Sequence, residues 1–399
     1  MDHHSLRCFV TIPKKTHFLF SFSLFLLFSF SNAAFDLATI PFNDGYSPLF
    51  GDGNVVRTTD GNGVQLLLDR YTGKLNYIIR LFSYTCKKHS KKIVSSRFYI
   101  FYYVILITKF NFFIFYFYDE YIGAGFISSN MYQYGFFSAN IKLPSNYTAG
   151  ICVAFYTSNG DVYEKTHDEL DFEFLGNVAG KPWRFQTNLY GNGSTHRGRE
   201  ERYRLWFDPT KGYHRYSILW TAKNVIFYID GVPIREVLRN EEMGGEYPTK
   251  PMSLYSTIWD ASNWATSGGK YKVNYKYAPF VAEFKDLVLK GCSLDPIQEV
   301  TNGDVCEDQN IDLEAQDYAA VTPLRRLSMR RFRQKFMYYS YCYDTIRYPI
   351  PPPECDIIPG EQQRFKETGR LKFGGSHRRR SRRGGRTTIP IDETDQGDM

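Results

Sequence analysis

His167-Asp168-Glu169-Leu170-Asp171-Phe172-Glu173-Phe174 alternates acidic and apolar side chains. A strand sends successive side chains to opposite faces, so His167, Glu169, Asp171 and Glu173 share one face while Leu170, Phe172 and Phe174 share the other. The apolar face predicts packing on a hydrophobic layer. The other face puts three mutually repelling carboxylates toward water, a metal or a substrate. An acidic solvated face or a divalent cation site is the plainer alternative, but the flanks are aromatic where a hard cation takes loop oxygens. Glycosidic bond cleavage uses a carboxyl pair, one to protonate the leaving oxygen and one to attack or stabilise the sugar cation. With Asp171 between them, Glu169 and Glu173 can be held in different protonation states, because like charges a few Å apart separate their pKa values.

Outward from this octet the text stays β. Val64–Asp69, Tyr132–Ile141, Gly150–Tyr156, Arg184–Leu189, Tyr203–Phe207, Tyr213–Trp220 and Val225–Ile229 are short runs rich in aromatic and β-branched residues, parted by Gly, Pro, Asn and Asp. Such spacing without helical periodicity predicts an all-β fold of two packed antiparallel sheets. Asp230-Gly231 predicts a tight hairpin into Val232–Val237, and Pro233 puts that returning strand at an edge or itself near the strand's beginning.

The octet resembles the active-site signature of the plant xyloglucan endotransglucosylase/hydrolases. Gly135-Phe136-Phe137 before Ile141-Lys142-Leu143-Pro144, Gln186-Thr187-Asn188, Leu205-Trp206-Phe207-Asp208-Pro209-Thr210 and Trp259-Asp260-Ala261-Ser262-Asn263-Trp264 carry the likeness from about Asp36 to about Gly375. The resemblance implies a jelly-roll sandwich with an open cleft, residues 34–73 and 125–291, and a small disulfide-bonded C-terminal extension with a short helix, residues 292–358. It implies Glu169 as nucleophile, Glu173 as acid/base and Asp171 as their assistant. Retention of configuration then requires the two glutamate carboxyls within about 5–5.5 Å. It also implies Trp259 and Trp264, on an exposed loop, as acceptor-side sugar platforms, with ordinary core packing as the alternative. Gln186, Asn188, Arg199 and Glu200 are implied sugar contacts or local loop-bonding groups, and His167 is a hydrogen-bonding neighbour. The expected reaction cuts internal β-1,4 bonds of xyloglucan and passes the glycosyl group to a xyloglucan or oligosaccharide acceptor, with hydrolysis as the alternative. A non-catalytic wall-binding jelly-roll is a third reading. The chemistry requires no metal and no organic cofactor, and a monomer is expected.

Two segments stand outside the likeness. Lys14, Lys15 and His17 precede the apolar run Phe18–Phe30, and Ser31-Asn32-Ala33-Ala34 offers a small-x-small cleavage site, so residues 1–33 predict a secretory signal and an extracellular, cell-wall product. Residues 74–124 interrupt the likeness: Arg70-Tyr71-Thr72-Gly73 should lead almost directly into Gly125-Phe126-Ile127-Ser128-Ser129. Phe98–Tyr118 is almost wholly Phe, Tyr, Ile, Val and Leu, the residues of AT-rich codons, which favours translated intron or another gene-model error. A surface insertion and a membrane span are the alternatives. The span is long enough, but Thr108, Lys109 and Asn111 are expensive in its middle and it would divide the sandwich across a bilayer.

Cys8 goes with the signal and Cys86 lies in the interruption. The resemblance pairs Cys292 with Cys306 and Cys342 with Cys355, and Cys152 reads as a buried free thiol. Asn146-Tyr147-Thr148 and Asn192-Gly193-Ser194 are glycosylation sequons. Thr322-Pro323 predicts a capped helix with Leu324, Leu327, Phe332 and Phe336 in imperfect period. In the family this extension lengthens the acceptor side, with Tyr338, Tyr339 and Tyr341 supporting that surface or packing on the sandwich. Residues 359–399 read as a basic disordered tail. Arg364 to Arg386 carries a net +9, which leaves −2 for the rest of a chain of +7. Behind a signal peptide such a tail is solvated or contacts acidic wall polysaccharide rather than nucleic acid.

Overall fold

In the computed structural model, which describes residues 35, 37–71, 123–295 and 306–372, the strands form two antiparallel sheets stacked as a jelly-roll sandwich. In chain order they are β1 Tyr46–Phe50, β2 Val55–Arg57, β3 Gly63–Leu68, β4 Gly123–Ser128, β5 Met131–Lys142, β6 Ile151–Ser158, β7 Glu169–Leu175 and β8 Arg184–Tyr190. There follow β9 Glu201–Arg204, β10 His214–Trp220, β11 Asn224–Ile229, β12 Val232–Leu238, β13 Ser253–Asp260, β14 Phe280–Leu294, β15 Met337–Asp344 and β16 Thr368–Arg370. One sheet runs β1-β4-β13-β6-β7-β8-β9-β15-β16 and the other β12-β11-β10-β5-β14-β3-β2.

β7 sits in the middle of the nine-stranded sheet, and its alternation decides what each face does. Leu170, Phe172 and Phe174 have no exposed surface. Phe172 meets Phe227 of β11 edge-on with ring centroids 5.2 Å apart, and Phe174 meets Tyr216 of β10 at 4.7 Å. Each buried ring removes apolar surface worth roughly 1.5–3 kcal/mol. That packing fixes the register, and the register turns Glu169, Asp171 and Glu173 away from the core.

The Asp230-Gly231 hairpin forms as expected, with both residues at positive φ (49° and 74°), and β12 with Pro233 is an edge strand. The strand expected over Tyr203–Phe207 ends at Arg204 instead, because Trp206 turns onto the C-terminal helix and packs at 5.5 Å on Phe332 and 6.0 Å on Phe336. The boundary expected after Ala124 also moves. Gly123 and Ala124 belong to β4, paired with Trp259 and Ile258, and a side chain at Gly123 would strike the backbone of β13.

Disulfides Cys292–Cys306 and Cys342–Cys355 are formed, and Cys152 is buried and unpaired. Among the described residues the α-helices are α1 Phe42–Gly45, α2 Glu307–Ala315, α3 Pro323–Phe336 and α4 Pro359–Gln362. Thr322 caps α3 as expected, its hydroxyl accepting from the Arg325 amide. Leu324 and Leu327 are exposed, however, and Met329 and Phe332 supply the buried face. Residues 359–372, expected to begin the disordered tail, are folded. Glu361 and Phe365 are buried, Phe365 stacks on Tyr343 at 5.0 Å, and β16 adds to the edge of β15. The signal, most of the interruption and the Arg378–Arg383 run lie outside the described residues. Among the described residues no helix is long and apolar enough to cross a membrane.

Candidate active site

The register around β7 builds a cleft of about 500 Å³ from alternate residues of neighbouring strands. Glu169 lies between Ser158 and Tyr190, Asp171 between Tyr156 and Asn188, and Glu173 between Ala154 and Gln186. Thr257, Trp259 and Trp264 close one flank and Glu200 opens the other, with Phe50 at the rim. The carboxylates are therefore no solvated acidic face: Asp171 is 6% exposed, and its two neighbours are half-buried.

Burial and mutual repulsion give the three carboxyls different tendencies. Asp171 is raised well above the usual aspartate range, first by loss of water and then by the charges of Glu169 and Glu173. Its hydrogen bond to Glu169 raises it further, and the same bond favours the ionised form of Glu169. Burial raises Glu169 too, but the Ser158 hydroxyl, the charge of His167 and the Asp171 proton all pull the other way. Glu173 is pushed up to about 7, chiefly by burial. The Gln186 amide donates to its Oε2 at 2.7 Å, which opposes that rise. All three carboxyls are thus raised, Asp171 by burial and two neighbouring charges, Glu169 against three opposing influences, and Glu173 to about 7.

The octet is anchored from below by Asp168, which has no exposed surface. Its Oδ1 accepts from the Asn192 amide and Lys250 Nζ, both at 2.7 Å, and its Oδ2 from the Thr249 and Lys250 amides, both at 2.9 Å. A carboxylate with four such donors pins the start of β7 to two loops.

The profile of Glycosyl hydrolases family 16 matches residues 42–277, and that of the xyloglucan endo-transglycosylase C-terminus matches residues 305–355. An Arabidopsis thaliana protein described as probable xyloglucan endotransglucosylase/hydrolase protein 30 is 59% identical over 365 residues, covering 92% of this chain and 91% of its own. The chain belongs to the xyloglucan endotransglucosylase/hydrolases. A second Arabidopsis thaliana member, probable protein 29, is 54% identical over 361 residues, with 87% of each chain covered. Among solved structures, a Bacillus licheniformis β-glucanase aligns over 63% of this chain and 97% of its own, at 20% identity and a TM-score of 0.40. The xyloglucan endotransglucosylase/hydrolase C-terminal match stops at 355, yet the fold continues through α4 and β16.

Within this xyloglucan endotransglucosylase/hydrolase most of the expected site residues converge. Glu169, Asp171, Glu173, Gln186, Asn188, Glu200, Trp259 and Trp264 all line the cleft. His167 stands outside the lining, its Nδ1 3.3 Å from the Glu164 carbonyl, and acts on Glu169 through charge. Trp259 is on strand β13 rather than on a loop; only Trp264 follows in the turn, its ring 5.9 Å from that of Trp259. Arg199, expected as a sugar contact, has no exposed surface. It is paired with Glu354 at 2.5 Å and with Glu246, and ties the sheet to the C-terminal extension. The Trp pair and the extension were both expected on the acceptor side. Strand order puts them on opposite sides of β7, since β13 lies beyond β6 whereas β15 and β16 lie beyond β9. Tyr156, Ser158 and Tyr190 were missed. Each sits at even spacing from an identified cleft residue on its own strand or directly across from one, so extending the alternation to β6 and β8 finds them. Asn146 and Asn192 of the two sequons are exposed.

Proposed function

We propose that the chain is a secreted xyloglucan endotransglucosylase acting by retaining double displacement. Glu169 attacks the anomeric carbon while Glu173 protonates the departing glucosyl oxygen. Glu173, now a carboxylate, then takes a proton from the acceptor hydroxyl as that oxygen displaces Glu169. Asp171 holds its proton throughout and steadies Glu169. The observation that carries this reading is the row Glu169, Asp171 and Glu173 on one cleft face of β7, with the Gln186 amide on Glu173 and a Glu173 carboxyl pushed up to about 7 by burial, which supports separate roles for the two glutamates. Family membership supports xyloglucan as substrate, and the open cleft across several strands suits attack within a polymer. Trp259 and Trp264 offer flat faces to pyranose rings on one flank. The flank beyond Gln186, extended by β15 and β16, is read as the acceptor side, because Gln186 holds the acid that serves the leaving group. An acceptor held there outcompetes water through its raised effective concentration. The apolar leader and the exposed sequons support a glycosylated product of the secretory route, destined for the wall.

The test is incubation of the purified protein with xyloglucan and a labelled xyloglucan oligosaccharide, following label incorporation and new reducing ends together. Transfer predicts label in long polymer with few new reducing ends. Reducing ends without label identify a hydrolase instead. Glu173→Gln should lower the rate roughly 10²–10⁴-fold, as loss of a general acid does. Polysaccharide binding with no turnover by the unaltered chain would leave only the wall-binding reading.

A further inference from the structure

Beyond the cleft the same face of the sheet turns basic. The cleft-facing series Tyr190, Asn188, Gln186 of β8 continues to Arg184, and on β9 the buried Tyr203 leaves Arg202 and Arg204 on the cleft side. Gln186 pairs with Arg202, and Arg184 pairs directly with Arg204. Tyr339 of β15 lies across from Arg202, and Arg370 of β16 lies across from Tyr339. Two guanidinium groups thus stand directly opposite each other on the cleft face of the sheet.

The arginines are also held in place. The Arg184 guanidinium sits 5.4 Å from the Tyr338 ring centroid, and those of Arg202 and Arg370 sit 5.0 and 5.5 Å from that of Tyr339. Arg202 is matched by Glu200 at 2.6 Å. Arg204 is exposed, and neither it nor Arg370 has a carboxylate within ion-pair distance among the described residues. A guanidinium ordered by an aromatic ring loses little freedom on meeting a planar anion.

We propose that Arg184 and Arg370, set by Tyr338 and Tyr339, form with the exposed Arg204 a subsite for a carboxylate-bearing sugar, a uronic acid residue. Guanidinium groups match a carboxylate in shape and charge. The acidic cleft centre repels such a sugar at the cleavage position, so the stripe selects the register in which the uronic acid lies beyond it. For the direction of the bound chain this rests on the transferase reading above; the binding itself does not.

Binding is read with full-length Glu169→Ala protein, so that no ligand is consumed. Three ligands are compared: a xyloglucan oligosaccharide carrying a galacturonosyl residue, the same oligosaccharide with a neutral galactosyl residue, and an oligogalacturonide. The galacturonosyl compound should bind about tenfold more tightly than its neutral counterpart at roughly 0.05 M salt, and the ratio should shrink toward one near 0.5 M. Adding Arg184→Gln and Arg204→Gln should abolish the ratio, whereas Arg184→Lys with Arg204→Lys should keep most of it. Because the Arg378–Arg383 run is present in every protein, the difference isolates the stripe. Oligogalacturonide binding that falls with the same substitutions assigns the site to acidic backbones as well as to side residues. Equal binding of the first two ligands overturns the proposal, as does a preference that survives the glutamine substitutions. Turnover of neutral xyloglucan by the protein with Glu169 intact tests the transferase reading separately.

Discussion

Gln186 controls how long Glu173 keeps its proton. Its amide donates to Glu173 Oε2 at 2.7 Å and favours the carboxylate, so Gln186→Leu should move the alkaline limb of the pH–rate profile upward from about 7. A limb that stays put in kcat and kcat/KM profiles would detach Gln186 from the acid. Stability carries the same signature. Glu173 is near 4.5 when unfolded and about 7 when folded, so between those values the folded state binds the extra proton. Stability is full below about 4.5 and falls as pH rises through 7. Glu173→Gln removes that loss, and urea midpoints should show the variant more stable by roughly 1–3 kcal/mol at pH 8 and near parity at pH 4. At this scale the placement of the carboxylates was legible because strand alternation is a hard geometric rule, and Glu169, Asp171 and Glu173 obey it. Arg199 was not legible. A buried arginine and a sugar-binding arginine look alike in sequence, and only Glu354, which lies 155 positions away, decides between them.

One arginine joins three elements at the C-terminal end. Arg333 of α3 donates to both oxygens of Glu201 on β9, at 2.6 and 2.9 Å, and to both oxygens of Glu361 on α4, each at 2.9 Å. Ser340 and Tyr203 also donate to Glu201, and Arg235 lies 3.7 Å from it. The desolvation of Glu201 is outweighed by Arg333 and Arg235, which hold its carboxyl at about 2. That contribution is complete above about 4.5 and is lost as pH falls toward 2. Arg333→Met strands two buried carboxylates and should cost about 3–5 kcal/mol in urea unfolding. Truncation after Ile358 removes Glu361, Phe365 and β16, and should lower the same midpoint by a smaller amount. An unchanged midpoint in Arg333→Met would show the network to be replaceable by apolar packing. The Thr322-Pro323 cap made α3 readable, whereas α4 and β16 were hidden. Their stability comes from contacts with Arg333, Tyr343 and Tyr339 rather than from any local period, and the basic run after them suggested disorder throughout.

At the scale of the whole molecule the two sheets assign every described strand without drawing on residues 72–122. β3 ends at Leu68, paired with Phe280, and β4 begins at Gly123, paired with Trp259. Jelly-roll pairing joins residues far apart in the chain, so the fold was read through hydrophobic alternation and family likeness, not through local connections. The interruption was legible only as a break in both. If residues 75–121 are no part of the working protein, deleting them should give a folded, soluble enzyme that transfers xyloglucan faster per milligram than the full chain. The boundary matters, because β4 lies between β1 and β13 in the cleft sheet. A deletion of 74–124 also removes Gly123 and Ala124, leaving Trp259 and Ile258 without their strand partners beside the cleft. That longer deletion should therefore fall below the shorter one in both midpoint and transfer rate, with the loss concentrated in the KM for xyloglucan because Trp259 is displaced. Equal activity of the full chain and the 75–121 deletion would instead show that the interruption is carried by a functional enzyme. Equal behaviour of the two deletions would show that β4 does not position Trp259.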